Sequence, residues 1–357
     1  MSTFKRNYCA GFIVLFSMLS LYVNAAVVND GSVDADELFL YTVKKDDTVW
    51  GICKTYVTDP LCWKKLVVFN QLKNPKYIPP KSIIRIPKSW LIDQTATALV
   101  IALEGDVLVF RQNSKSEDAL HVGDLLNQED VVKSQGGSAM IEFADNSRLL
   151  LKENSTIRMA NLQFYDATQL VSTRVELLKG RVKAQVEKLS NKDSRYEIST
   201  PAAVAAVRGT DFRVERKASA SGDAVEMRTE LLTGALTVKS DNNQQSITSG
   251  QGVLAVEGKG VSEPVRLLPR PLVTINESTS GTLPLLLEWK KIEKAAFYKV
   301  TLMTQNAQVW EKTIQAPKFL IEDVEFGQYQ LLIRGIDDQG FEGRNRRINL
   351  DLSAPAI

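Results

Sequence analysis

From about residue 98 onward the apolar residues of this chain come in short runs broken by glycine, asparagine or aspartate, a spacing that leaves room for strands but not for helices. Gly105-Asp106-Val107-Leu108-Val109, Val122-Gly123-Asp124-Leu125-Leu126, Ala139-Met140-Ile141-Glu142-Phe143 and Arg148-Leu149-Leu150-Leu151 are strand-sized, and Gly136-Gly137 and Asp145-Asn146 are turn-forming breaks. The pattern predicts a mainly β protein. At 357 residues the chain exceeds one ordinary hydrophobic core, so it is expected to be multidomain.

One region departs from the pattern. Tyr41 to Lys44 alternates as a short strand, and Asp47 or Thr48 suits the N-cap of a helix carrying Val49, Ile52, Cys53 and Tyr56 on one face. Asp59-Pro60 is a preferred opening for a second helix with Trp63, Leu66 and Val67 as its stripe, and Ile83 to Ile86 closes the unit as a strand. This β-α-α-β segment, residues 38–90, resembles a LysM domain over nearly its whole length, in Tyr41-Thr42-Val43-Lys44, Asp47-Thr48-Val49-Trp50, Asn70 and Ile84-Arg85-Ile86-Pro87. The resemblance implies binding of N-acetylglucosamine-containing glycan, in bacteria the peptidoglycan backbone. The groove would lie between the loop after the first strand, with Asp47, Thr48 and Val49, and the loop before the second, with Asn74, Tyr77 and Ile78. Short polar groups can bond sugar hydroxyls while an apolar or aromatic surface covers the ring faces; the alternative is that all six merely build turns. Asp46 and Lys81 stand where the family usually has glycine, and residues with a side chain resist positive φ, which predicts a reshaped loop or a lower affinity.

Lys5 and Arg6 precede an apolar run from Ala10 to Val23, and Val23-Asn24-Ala25 fits a small-residue cleavage rule, so residues 1–25 read as a secretory signal peptide, with a retained anchor as the competing view. No later run has the length of a bilayer crossing, so no stable membrane insertion is expected after cleavage. Lys and Arg total 44 against 42 Asp and Glu, and removing Lys5 and Arg6 leaves 42 of each; with no basic excess, nucleic acid is not an expected partner. Of three cysteines only Cys53 and Cys62 follow the signal, one on each expected helix, where in an oxidising compartment they could form a disulfide or remain two buried thiols. His121 is the only histidine, which leaves too few soft ligands for a metal site; no metal and no cofactor are expected.

The middle region carries Thr200-Pro201-Ala202-Ala203-Val204-Ala205-Ala206-Val207, then Arg208-Gly209-Thr210-Asp211-Phe212, and later Leu232-Thr233-Gly234-Ala235-Leu236. Residues 99–257 resemble an all-β FecR domain through this signature. Within it a structural role is expected: Gly209 for a sharp turn, Arg208 forking onto Asp211, Thr210 beside them, Phe212 entering the core and the alanines allowing close packing. Residues 258–282, with Pro264, Pro269 and Pro271, read as a linker. Residues 283–353 resemble a fibronectin type III or related immunoglobulin-like β-sandwich, in Trp289, Ala296-Phe297-Tyr298-Lys299-Val300, Gly327-Gln328-Tyr329 and the Asp-Gly turn at 337–340. Trp289 and Tyr329 are expected as core aromatics, with sugar stacking as the alternative.

The inventory disfavours an enzyme and leaves the catalytic set empty. Zinc-dependent peptidases need several histidines, and thiol-dependent wall enzymes need a free cysteine beside one. The expected function is therefore a non-catalytic periplasmic protein of the Gram-negative envelope that grips peptidoglycan glycan and offers its β domains to another envelope protein. A FecR-like signal sensor working through a separate membrane partner is the alternative, and a LysM-targeted wall hydrolase a weaker one.

Overall fold

Three apolar clusters organise the chain, one for each expected folded unit. The computed structural model describes residues 38–92, 94–112, 114, 116–165, 167–188, 194–219, 222–274, 278–281, 283–304 and 308–352. The expected signal peptide lies outside the described residues.

In the first unit, β1 (Leu38–Thr42) pairs antiparallel with β2 (Ile83–Pro87), and α1 (Val49–Tyr56) and α2 (Cys62–Phe69) pack behind them. Thr48 caps α1, its Oγ1 accepting the Gly51 N–H at 3.0 Å, which satisfies one of the helix's orphan donors. Val49, Ile52, Cys53, Cys62 and Leu66 are buried, so the two helices share one apolar seam. The second helix starts later than Asp59-Pro60 predicts. Asp59 instead closes a turn ahead of the helix, its Oδ1 accepting Leu61 N–H at 2.8 Å and its carbonyl accepting Cys62 N–H at 3.0 Å. Cys53 and Cys62, with Cα atoms 5.8 Å apart, are joined in a disulfide between the helices. Asn70 then ties the end of α2 to β2: Nδ2 donates to Leu66 O and Arg85 O, and Oδ1 accepts Arg85 N–H at 2.8 Å.

The middle body is two β-sheets that share the 16-residue strand Leu170–Gln185. Its first half pairs with Thr156–Tyr165 and, in parallel, with Arg195–Ser199. Its second half, beyond Gly180, pairs with Arg148–Leu151 and Asp211–Ala218. Gly180 makes the transfer between sheets possible, because it holds φ 82° and a Cβ there would lie 2.7 Å from the Asn154 carbonyl. Alternating inward residues such as Val175, Leu177, Val182 and Ala184 fill the space between the sheets.

The C-terminal body is a β-sandwich. A five-stranded sheet runs in the order Ser278–Gly281, Arg346–Leu352, Gly327–Ile336, Phe297–Met303, Gln308–Ile314, and Leu285–Glu288 pairs with Lys318–Ile321 to form the second. Trp289 is buried edge-on against Tyr298, ring centroids 5.4 Å apart, while Tyr329 is half-buried at the edge of the same core.

The segment 258–282 is more than a linker. Gly260–Val261 and Val265–Arg266 pair with Gln251–Val256 in the middle body, and Ser278–Gly281 runs parallel to Arg346–Leu352 in the sandwich. The valines supply strand propensity; Pro264, between the two pieces, interrupts their pairing in the first body.

Candidate functional site

The two loops proposed to line the glycan groove meet at the open end of β1 and β2. Val43 N–H donates to Ser82 O at 2.9 Å and Lys81 N–H to Val43 O at 2.7 Å, which clamps the loop after β1 against the loop before β2. Asp46 and Lys81 both adopt φ 70°, so each occupies the left-handed region that glycine fills at no cost, and the loops keep that turn geometry despite the side chains.

The six candidate residues divide by what their side chains already do. Asp47 is committed internally: Oδ2 accepts from Tyr41 Oη at 2.7 Å and from the Lys44 N–H at 2.6 Å. Burial and that bond to Asp47 raise the Tyr41 phenol above its ordinary range. Thr48 spends its hydroxyl on the helix cap, and Val49 and Ile78 are buried. Asn74 is exposed, and its Oδ1 accepts Lys76 N–H at 3.1 Å. Tyr77 is 67% exposed, the one aromatic among the six and free to lie against a sugar face. Trp50, 60% exposed on the first turn of α1, was left out of the expected set; its signal was its place immediately after Thr48-Val49.

At the Arg-Gly-Thr-Asp-Phe corner, Gly209 holds φ 84° and a Cβ would meet the Lys188 Cα at 3.1 Å, so the sharp turn is real. Phe212 is wholly buried, as are Thr210, Ala202, Ala203 and Ala205. Two details differ from expectation. Arg208 is exposed and has no ion-pair partner among the described residues, whereas Asp211 faces Lys183 at 3.4 Å across the neighbouring strand; Ala206 is exposed as well. Arg208 lies in the bend with Gly209, after the strand Val204–Val207 has ended, while Asp211 opens the next strand, which breaks the fork predicted from their proximity in sequence.

A buried ionic cluster, absent from the sequence reading, lies where the sandwich meets the middle body. The turn Asp337 to Gly343 enters a sheet face carrying Arg181, Arg213, Glu215, Arg228 and Glu230. Glu342, 1% exposed in its side chain, receives Arg181, Lys299 and Arg334, and Arg213 Nη1 at 3.2 Å. Arg213 also donates to the carbonyls of Glu342 and Gly343 at 2.7 and 2.9 Å, and Arg228 to that of Gln339 at 2.8 Å. Phe341 sits against Gly252, where a Cβ would come within 2.8 Å of its ring. Glu311 receives Lys152 at 2.7 Å and Arg334 at 3.0 Å. Burial alone would raise the Glu342 carboxyl; Arg334, Arg181, Lys299 and Arg213 overcome it and hold it well below the usual range. Burial raises Glu230 against the pull of Arg213.

Residues 41–87 match the LysM domain family and residues 129–235 the FecR protein family. The chain thus carries a LysM domain followed by a FecR domain and a C-terminal β-sandwich consistent with an immunoglobulin-like fold. Among solved structures, a candidate anti-sigma factor from Parabacteroides distasonis ATCC 8503 is similar at 16% identity and TM-score 0.30, over 38% of this chain and 57% of that one. The extracellular domain of a candidate one-component system from B. thetaiotaomicron is similar at 12% identity and TM-score 0.21, over 61% of this chain and 37% of that one. That of a candidate hybrid two-component system from the same organism matches at 10% identity and TM-score 0.20, over 80% of this chain and 64% of that one. The chain therefore spans little more than half of the first of these relatives. No curated protein matches it.

Proposed function

We propose that this protein is a non-catalytic glycan-binding protein of the periplasm, in which the LysM domain grips peptidoglycan through N-acetylglucosamine-containing chains. The FecR domain and the sandwich form a body that meets another envelope protein. The observation that carries the reading is the LysM match over 41–87 together with a clamped pair of loops exposing Tyr77 and Asn74. Among the described residues no helix is long and apolar enough to cross a membrane, and the single histidine, His121, is exposed beside Asp124, without a nucleophile in hydrogen-bond contact. The groove works by hydrogen bonds and ring coverage, which hold a sugar without breaking it.

The test is co-sedimentation of the signal-free chain with purified sacculi, alongside Tyr77→Ala. The wild type pellets, and removing the ring weakens binding about fivefold to tenfold, the size of one lost aromatic contact. Absence of the wild type from the pellet overturns wall binding, and release of soluble muropeptides overturns the non-catalytic assignment. The FecR match favours one second reading, a sensor acting through a separate membrane partner. It predicts that deletion changes transcription of transport genes while wall attachment of other proteins is unaltered.

A further inference from the structure

We infer that the cavity between the FecR domain and the sandwich binds a small amphiphilic oxyanion, an aliphatic carboxylate or phosphate ester. The first support is charge. Lys152, Arg181, Arg213, Arg228, Lys299 and Arg334 are at most 15% exposed in their side chains, and the carboxylates interleaved with them are Glu215, Glu230, Glu311 and Glu342. Among the described residues the cluster therefore holds six cations against four anions. A surplus of buried positive charge is costly unless a counter-anion joins it.

The second support is where the empty space lies. A cavity of about 180 Å³ opens beside Lys152, Arg181, Arg213 and Arg334, and its lining includes no carboxylate. Lys183 and Arg148 also line it, each paired one to one with Asp211 and Glu142 respectively, so neither adds to the surplus, and four of the six cations that share it face the cavity. Asn345 adds an amide whose Oδ1 is buried without a hydrogen-bond partner; turned over, that amide presents its N–H₂ to an anion. Burial brings the Lys152 ammonium down to about 8, with Arg334 adding to the shift and Glu311 and Glu342 opposing it, so the cavity offers a cation that a bound oxyanion would hold in its charged form.

The remaining wall decides the class of ligand. Met140, Leu150, Val182, Met303 and Leu332 face the same space, which suits a short hydrocarbon and gives a hydrated inorganic ion nothing to bond on that side. An apolar cavity of roughly 150 Å³ accommodates benzene, so this one takes a ligand of about six to eight heavy atoms. Asn345 also lines an adjoining polar cleft of about 690 Å³ that carries Arg270, Arg344 and Arg347, a cationic approach that would concentrate anions at the mouth.

The experiment is thermal melting and isothermal titration of the full signal-free chain with hexanoate, with propyl phosphate, and with inorganic phosphate at matched ionic strength. At a hundredfold excess over Kd either amphiphile raises Tm by about 5 °C, and the arm with the larger rise identifies the headgroup. Inorganic phosphate leaves Tm unchanged. Lys152→Met removes one surplus charge at similar length; it melts no lower than wild type without ligand and binds at least about tenfold more weakly. Met303→Trp fills the apolar side and abolishes the rise. No rise with either amphiphile, an equal rise with inorganic phosphate, or a folded Met303→Trp that binds as wild type does overturns the inference. The outcome is independent of whether the LysM domain binds wall.

Discussion

The FecR body is joined to its two neighbours by seams of opposite chemistry. At the LysM end the contact is hydrocarbon: Tyr165 and Leu170, at the tip of the hairpin formed by Thr156–Tyr165 and Leu170–Gln185, complete the apolar cluster built on Val57, Cys62, Leu66 and Leu91. Backbone pairing supports it, with Val57 bridged to Leu91 and Gln94–Thr95 paired to the same hairpin. At the sandwich end the contact is charge, centred on Glu342. Burial of carbon is nearly indifferent to pH, whereas an ionic seam holds only while its groups keep their charges. A LysM unit fixed by the first kind and a sandwich fixed by the second would respond separately to the same change in the medium.

The largest expected effect comes from breaking the ionic seam at its centre. Glu342→Ala leaves Arg181, Arg213, Arg334 and Lys299 without their shared carboxylate and costs about 3–5 kcal/mol, read as an early separate transition in chemical denaturation. The depressed Glu342 and Glu311 carboxyls set the sign with acid: their stabilisation is complete above the unfolded value of 4.5 and is lost as pH falls through the folded values. Leu170→Ala at the hydrocarbon seam costs about 2–4 kcal/mol, and the loss is the same at pH 3 as at pH 7, whereas the cost of Glu342→Ala shrinks in acid. Equal pH dependence for the two variants would erase the distinction between the seams.

Within the LysM domain, reduction of Cys53–Cys62 releases a short loop and costs about 2–3 kcal/mol, seen as a lower Tm of the LysM transition in dithiothreitol. The ionic seam should not notice.

Lys152 gives a smaller, signed test. Its folded pKa of about 8 lies below the ordinary 10.5, so the unfolded chain binds more protons between those values and stability rises with pH across that window. The gain is on the order of 2 kcal/mol, and Lys152→Met flattens it. A flat wild-type profile between pH 8 and 10 would mean that Lys152 is not depressed in the folded chain.

The LysM domain was the most legible part of the chain because its determinants are local. Thr48 caps the helix that begins one residue later, and Asn70, one of the residues that carry the resemblance, lies at the end of the second helix and ties it to a strand. The strand periodicity of the middle region likewise announced a β body. The ionic seam was hidden by the same periodicity. Arg213 and Glu215, or Arg228 and Glu230, alternate with apolar residues as the solvent face of any half-buried strand does, and only the arrival of Glu342, 129 residues after Arg213, turns that face into an interior. The Arg208–Asp211 fork failed for the converse reason, since nearness in sequence says little across a bend that leaves Arg208 exposed and turns Asp211 toward Lys183.

The smallest effect concerns the two clamped loops proposed to line a glycan groove. Asp46 and Lys81 hold φ 70°, where a Cβ-bearing residue is strained by roughly 1 kcal/mol relative to glycine. Lys81→Gly should therefore raise LysM stability by up to about 1 kcal/mol, offset in part by the greater freedom glycine gives the unfolded chain. Because the turn already has glycine's geometry, binding to sacculi should stay within about twofold of wild type. A large gain in affinity would show instead that the lysine side chain, exposed beside Pro79-Pro80, obstructs the groove, and the LysM surface rather than its backbone would then limit the grip on the wall.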